Sequence, residues 1–246
     1  MASFSRTWIP NQHGAWAMLI APVAVGALAG GFTPWHLLLL LTWLAAFCVN
    51  YFVSLALKSR RPARYRQQLT LYTFAALVFG LSLVAHDFDV LRMGLFAVPA
   101  FAVNVFFVLQ RNERAWINDV VGIALAGVVG YGAYMLGGNP KSDAAALHAF
   151  LSVLAMCLYF VGTVIYVKTL IRERGSAHWL RASYAYHAAL LAICASAHLW
   201  ALTAIAIALL MRAREVPRLN WTPKRVGLTE IIYTSAVALG ALLTLP

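Results

Sequence analysis

Apolar residues fill most of the chain in long blocks that short polar segments interrupt. A helix needs about 20 apolar residues to cross a hydrocarbon core of about 30 Å, and several blocks reach that length. The pattern predicts an all-α, polytopic membrane protein with nine transmembrane helices. The predicted spans are 14–31, 35–57, 69–86, 91–110, 116–136, 145–168, 182–197, 199–212 and 226–245.

The seventh and eighth spans come from one block, "ASYAYHAALLAICASAHLWALTAIAIALLM", which could also form one tilted helix. The block is longer than one span needs, and His198 marks a turn point within it. With nine spans, 17 of the 19 Lys and Arg residues fall on one side, and only Arg92 and Lys141 on the other. The positive-inside rule then places the N-terminus in the cytoplasm and the C-terminus outside the inner (plasma) membrane.

Composition supports the same class, because 62% of residues are hydrophobic and 11% are charged, against about 25% charged in soluble domains. We therefore expect a single integral domain over residues 1–246. The net charge of +11 reflects topology and affinity for anionic membrane lipids, and it predicts no nucleic-acid partner. The three cysteines lie in apolar blocks without metal-site or disulfide spacing. We predict no metal site and no cofactor, and magnesium is possible but not favoured. The sequence leaves the oligomeric state open.

A faint repeat relates the first and fifth spans. At an offset of 100, "AWAMLIAPVAVGALAG" (15–30) matches "AWINDVVGIALAGVVG" (115–130) at Ala15, Trp16, Ala24 and Gly30. This suggests repeat units 10–110 and 111–212 followed by a ninth helix, 226–245. Duplicated membrane units often hold their ligand where the repeats meet.

Polar and ionisable residues gather at the predicted cytoplasmic ends of six spans. Such groups are costly in a membrane unless paired or hydrated, so each is a functional candidate. The predicted acid/base residues are Asp119, Glu230 and His13, and the predicted ligand-binding residues are Gln12, Asn50, Lys58, Arg61, Asn118, Tyr166, Lys168, Arg172, Arg174, Tyr184, His187 and Arg225.

Each of these residues also has a purely structural interpretation. Short polar side chains and carboxylates cap helix N-termini, and buried polar groups hydrogen-bond between helices. On this interpretation Gln12 and His13 cap the first helix, Asn118 and Asp119 cap the fifth, Glu230 pairs with Arg225 or another arginine, and Asn50 and His187 join helices.

The stretch "IPNQHGAWAML" (9–19) separates the two interpretations. We expect Gly14 to let another helix come close, which would draw His13 inward. A buried His13 would then face Asp119, Glu230 or a bound anion, and the stretch would form the lip of a cavity. An exposed His13 would indicate a simple cap.

Four stretches, "PNQHGAWAML", "RNERAWINDVVGI", "FVGTVIYVKTLIRER" and "PKRVGLTEI", resemble the YwiC-like family of bacterial membrane proteins. With the span pattern, the resemblance covers nearly the whole chain. It implies an integral membrane protein and carries over no catalytic residues.

More distantly, the chain resembles the UbiA-type intramembrane prenyltransferases. That resemblance implies nine helices, two four-helix units plus one, and a cytoplasm-facing cavity. The family's second helix ends in an NxxxDxxxD-like motif that holds magnesium and a prenyl diphosphate, whereas this chain has Asn50, Ser54 and Lys58. The second motif, YxxK followed by aspartates, is here "YVKTLIRER", in which Glu173 is the one acid. Cationic side chains in place of carboxylates favour direct phosphate binding over magnesium-assisted ionisation.

Three functions follow as alternatives. The first is a cytoplasm-facing basic cavity that binds an amphipathic anionic small molecule, with isoprenoid-like or lipid-phosphate transfer as the leading reaction if the protein is an enzyme. The second is a transporter of a small anion or metabolite, which the nearly apolar outer halves of the spans disfavour. The third is a non-catalytic membrane or respiratory assembly factor.

Overall fold

The structure, a computed structural model, describes residues 8–59, 62–219 and 221–245, and only the backbone of His13 and Pro223. Within these residues the chain forms nine α-helices and no strands. The helices are α1 (His13–Gly30), α2 (Trp35–Ser59), α3 (Arg66–His86), α4 (Leu91–Leu109), α5 (Trp116–Met135), α6 (Asp143–Val167), α7 (Ala177–Ser196), α8 (Trp200–Glu215) and α9 (Pro223–Thr244).

The nine helices confirm the predicted all-α, polytopic class. The block that gave the seventh and eighth predicted spans forms two helices, with the turn at His198. His198 has a positive φ of 56°. This is the left-handed conformation, which non-glycine residues adopt only singly and which ends a right-handed α-helix.

Within the part of the chain that the structure describes, six helices, α2 to α6 and α9, are long and apolar enough to cross a membrane by themselves. Helix α1 is apolar but shorter. Helix α8 has 16 residues, so at about 1.5 Å per residue it is shorter than a hydrocarbon core. Helix α7 carries His178, Arg181 and His187 among its apolar residues. The protein is a multi-pass membrane protein.

Large apolar side chains point outward from the middle helices of the first half. Leu81 on α3 and Leu95 and Val98 on α4 are each more than 60% exposed. In water such a surface would aggregate, whereas lipid tails solvate it. These helices therefore present a lipid-facing surface.

The helices form two compact units, Met1–Pro140 and Lys141–Pro246. The first contains α1 to α5 and the second contains α6 to α9. This division follows packing, whereas the predicted boundary at residues 110 and 111 follows a sequence repeat. The repeat units stay a prediction.

In the first unit, α1 and α5 pack closely and in the same direction. A β-carbon on Gly26 would collide with the carbonyl oxygen of Gly130, and one on Gly30 would collide with the backbone of Tyr134. A β-carbon on Gly130 would lie 2.7 Å from the carbonyl oxygen of Pro22. Small residues permit such backbone approach and supply the packing that joins helices in lipid. The two segments of the faint repeat are thus direct neighbours.

The close approach predicted at Gly14 is wrong. No described atom lies within 4 Å of the position that a β-carbon on Gly14 would take, and the residue is exposed. The close backbone contacts of α1 lie nearer its middle, at Pro22 and Gly26. Gly14 therefore provides no packing reason for His13 to turn inward.

In the second unit, α6 has the largest buried face. Its residues Ala149, Met156, Tyr159, Phe160 and Tyr166 are nearly inaccessible, and it packs against α7 and α9. Because residues three and four apart share a helix face, Tyr159, Thr163 and Tyr166 line up along this interior. That alignment brings hydroxyl groups into the centre of the unit.

Candidate ligand-binding site

A buried ion pair joins α8 to α9 near one end of the second unit. Arg212, in the last turn of α8, donates through Nη1 to Oε1 of Glu230, which lies two turns into α9. The two side chains are only 2% and 13% exposed. Because the two charges are largely excluded from water, neighbouring protein groups must provide their hydrogen bonds. The groups around the pair therefore indicate its role.

The carboxylate of Glu230 has its second oxygen occupied as well. The Tyr159 hydroxyl donates to Oε2 at 2.8 Å, and the Thr163 hydroxyl donates to it at 3.0 Å. Thr234, one turn further along α9, donates to the backbone carbonyl of Glu230 at 2.7 Å. With both oxygens engaged, Glu230 acts here as a hydrogen-bond acceptor.

Arg212 is held between aromatic rings. Its guanidinium carbon lies 4.0 Å from the ring centre of Tyr166 and 4.8 Å from that of Tyr233, within the range of cation–π attraction. Its Nε and Nη2 atoms are buried, and they have no hydrogen-bond partner among the described residues. One edge of the guanidinium is therefore paired and the other is not.

Helix α7 adds a histidine to the same interior. His187 is buried, and its Nδ1 lies 2.7 Å from the backbone carbonyl oxygen of Ser183. Its Nε2 lies against Gly162 of α6, where a β-carbon would come within 3.3 Å. Tyr184, also on α7, packs on an apolar cluster that contains Tyr166. Four helices thus contribute to one polar interior, and three of them, α6, α7 and α9, contribute predicted residues.

The basic residues at the end of α6 differ in burial. The helix continues into one π-helical turn, Lys168–Arg172, a feature that often marks functional positions. Lys168 is buried, with Nζ 5.3 Å from the ring centre of Trp179, whereas Arg172 and Arg174 are exposed. Arg225 is exposed and stacks on Trp221 at 4.3 Å. The predicted pairing of Glu230 is thus made by Arg212 and not by Arg225.

The first unit has a separate polar network on α2, α4 and α5. Ser54 donates to Oδ1 of Asn104 at 3.2 Å, and Asn104 donates to Oδ1 of Asn118 at 3.4 Å. Asn118 then donates to the backbone carbonyl of Glu113 at 2.8 Å. Lys58 donates to the Glu113 carboxylate at 2.6 Å, and this hydrogen bond lowers the pKa of Glu113. Ser54 and Lys58 thus lie on one helix face, as their spacing predicts.

The remaining predicted residues differ in burial, and some lie outside the described residues. Gln12 is exposed, and its side chain does not cap α1. The side-chain oxygen of Asn50, Oδ1, is buried without a hydrogen-bond partner in the described chain. Asp119 lies in the first turn of α5 and is partly buried. The His13 side chain and all of Arg61 lie outside the described residues, so the burial predicted for His13 stays a prediction.

Two surface depressions occur in the first unit, both away from these networks. One, of about 340 Å³, is lined by the apolar residues 34, 35, 37, 38 and 41. The other, of about 690 Å³, is lined by Trp8, Arg66, Gln67, Thr70, Leu71 and Phe74. Neither is lined by a predicted site residue.

Comparison with known proteins identifies the family of this chain. The family model described as YwiC-like protein matches residues 9–134. YwiC of Bacillus subtilis is 34% identical over 228 residues, which cover 92% of this chain and 93% of the relative. The chain belongs to the YwiC-like family. A second relative, from Haemophilus influenzae, is 27% identical over 227 residues, covering 92% of this chain and 94% of the relative. No solved structure matches significantly.

The match to the YwiC-like model falls on the first unit, from the start of α1 to the end of α5. The buried pair of Arg212 and Glu230 lies beyond that range. The family name states no activity, so the function of this YwiC-like protein has to be inferred from its own residues.

Several members of both networks in this YwiC-like chain were not predicted from the sequence. The sequence marks Arg212 only as one of the 17 basic residues on one side, at the end of the predicted span 199–212. Asn104 carried a usable signal, since it is a single amide within an apolar block. Tyr159, Thr163 and Thr234 gave weaker signals, because hydroxyl residues are common in membrane helices.

Proposed function

We propose that this protein binds an amphipathic anionic ligand at the basic end of its second unit. The end of α6, the start of α7, the end of α8 and the start of α9 all lie at that end. Besides Arg212, they and their connections carry eight basic residues, Lys168, Arg172, Arg174, Arg181, Arg214, Arg218, Lys224 and Arg225, and two acids, Glu173 and Glu215. The opposite end carries Lys141 and Asp143.

The observation that carries the proposal is the position of Arg212 at this end. The positive-inside rule explains exposed basic residues without any ligand, but it does not explain a buried arginine surrounded by tyrosines. Anionic head groups are attracted to such a surface by about 1 kcal/mol per nearby Lys or Arg. The apolar flanks of the helices suit the tail of an amphipathic molecule. Isoprenoid-type transfer stays a prediction from the distant UbiA resemblance. Glu230, a predicted acid/base residue, already accepts hydrogen bonds at both oxygens and so gives that reaction no support.

Lipid binding in nanodiscs tests the proposal. We expect the purified protein to enrich phosphatidic acid over phosphatidylcholine, measured by native mass spectrometry of lipids that stay bound. The double variant Arg172→Gln/Arg174→Gln removes two exposed charges and should reduce the enrichment several-fold. Lys141→Gln, at the other end of the same unit, is the matched control and should leave it unchanged. Equal retention of both lipids by the unmodified protein would reject the proposal.

We further infer that this basic end faces the cytoplasm of a bacterial inner membrane, with the C-terminus outside. Seventeen of the 19 basic residues favour that orientation. Fusions at the C-terminus provide the test. Alkaline phosphatase should be active there and green fluorescent protein should stay dark, whereas the reverse pattern would place the C-terminus in the cytoplasm.

A further inference from the structure

The unpaired edge of Arg212 has the geometry of an oxyanion receptor. A guanidinium offers its Nε and Nη2 hydrogens as a side-on fork that matches two oxygens of a phosphate or carboxylate. Glu230 accepts from Nη1, so it does not occupy the fork. Both fork atoms are buried without a partner among the described residues. Leaving two donors of a charged group unsatisfied is costly, and a bound oxyanion would remove that cost.

We propose that the Nε–Nη2 edge of Arg212 binds the phosphate group of the amphipathic ligand. This inference rests on the proposed function and assigns the residue that recognises the head group. The rings of Tyr166 and Tyr233 lie 4.0 Å and 4.8 Å from the guanidinium carbon. Stacked rings restrict the orientation of a guanidinium, so its fork is presented in a defined direction.

Charge favours phosphate over a carboxylic acid as the ligand. Arg212 and Glu230 together are neutral, so the anion must be stabilised by the surrounding charge. The eight further basic residues at this end outnumber its two other acids, which suits a group that carries more than one negative charge. Arg212 is also one turn from the end of α8, so a head group entering from the basic end has a short path to the fork.

Three variants test the fork directly. Arg212→Lys keeps the charge and removes the bidentate edge, so binding of phosphatidic acid should weaken about tenfold. Glu230→Gln keeps an acceptor for the Tyr159 and Thr163 hydroxyls but removes the competing charge, so binding should tighten by about the same factor. The control is Arg214→Lys, which changes an exposed arginine two residues away and should bind like the unmodified protein. Each protein is checked for a monodisperse size-exclusion peak.

Two probes separate the sources of the phosphate. Nanodiscs of phosphatidylcholine with phosphatidic acid test a lipid head group, by native mass spectrometry. Inorganic phosphate added to nanodiscs of phosphatidylcholine alone tests the free ion, by the rise in the unfolding temperature that a ligand of the folded state produces. A response to either probe that is lost in Arg212→Lys supports the fork and identifies the source.

The failures of the two proposals are distinguishable. If the unmodified protein enriches phosphatidic acid and Arg212→Lys enriches it equally, the fork proposal is wrong and the proposed function stands. If the unmodified protein shows no preference for phosphatidic acid and no response to inorganic phosphate, both are wrong. If Arg212→Lys does not fold, Glu230→Gln decides, because unchanged or weaker binding by that variant overturns the fork.

Discussion

Each unit contains an ion pair between a basic residue and a glutamate. Both pairs lie near the helix ends that carry most of the unit's Lys and Arg residues, but the two pairs differ in burial. Lys58 and Glu113 in the first unit are 40% and 28% exposed, whereas Arg212 and Glu230 in the second are 2% and 13% exposed. An exposed pair is screened and contributes little. A buried pair fixes the groups around it, because neither charge can return to water.

The helices of the two units are also joined differently. In the first unit, glycines bring the backbones of α1 and α5 into contact, and the polar network joins the start of α5 to α2 and α4. In the second unit, the hydroxyls of α6 bind a carboxylate of α9 that is itself paired with α8. A buried ion pair is costly to retain for stability alone, and this is why we place the ligand site in the second unit, where Arg212 and Glu230 are buried.

The largest expected effect is on the buried pair. Glu230→Ala leaves Arg212 buried without its counter-charge, which should lower the free energy of unfolding by about 3–5 kcal/mol. Lys58→Ala removes one partner of the exposed pair and should cost at most about 1 kcal/mol. Scanning fluorimetry of the proteins in one detergent provides the comparison. Equal losses in unfolding temperature would show that burial does not distinguish the pairs.

The next largest effect is expected at the contact of α1 and α5. Gly26→Ala places a methyl group against the backbone of Gly130, and overpacking of this kind costs about 1–3 kcal/mol. Gly122→Ala on α5 is the control, because no described atom lies within 4 Å of its β-carbon position. Thermal unfolding should separate the two variants. Wild-type stability in Gly26→Ala would mean that the close approach does not stabilise the unit.

A smaller effect is expected from one hydroxyl of the second unit. Tyr159→Phe removes the hydrogen bond to Oε2 of Glu230, and hydrogen bonds to charged groups contribute about 1.5–3 kcal/mol. Because Thr163 still donates to the same oxygen, the loss should be about 1.5 kcal/mol, near the lower limit. Tyr184→Phe is the matched control on α7, since its hydroxyl has no hydrogen bond in the described chain. A similar loss in both variants would contradict a specific role for Tyr159.

The number and type of the helices could be predicted because hydropathy acts over whole blocks. A run of apolar residues identifies a helix even when single positions are misread, and the turn at His198 followed from the length of its block. It was harder to predict from the sequence which helices pack together. Gly14 and Gly26 are equally small, and only the crossing point of α1 and α5 decides which of them makes contact.

Site residues were harder to predict where burial depends on helix rotation. Arg212 and Arg214 are two residues apart, so they lie about 200° apart around α8. One points into the unit, and the other has a side chain that is 69% exposed. A count of basic residues in a loop treats them alike. Tyr166, Lys168 and His187 were found because motif resemblance or helical spacing marked them individually.

The smallest expected effect is the pH dependence of the exposed pair. The hydrogen bond from Lys58 lowers the pKa of Glu113 in the folded protein, so the pair stabilises the fold at pH values above the unfolded-state pKa of about 4.3. That contribution is lost as the pH falls through the lowered folded-state pKa. Glu113→Gln cannot ionise, so its deficit in stability at pH 7 should be below about 1 kcal/mol and should shrink towards zero below pH 4. Unfolding temperatures of both proteins at several pH values, at low and high salt, provide the measurement. A deficit that stays constant as the carboxylate is protonated would mean that charge does not hold this pair together, and the contrast with the second unit would then rest on the buried pair alone.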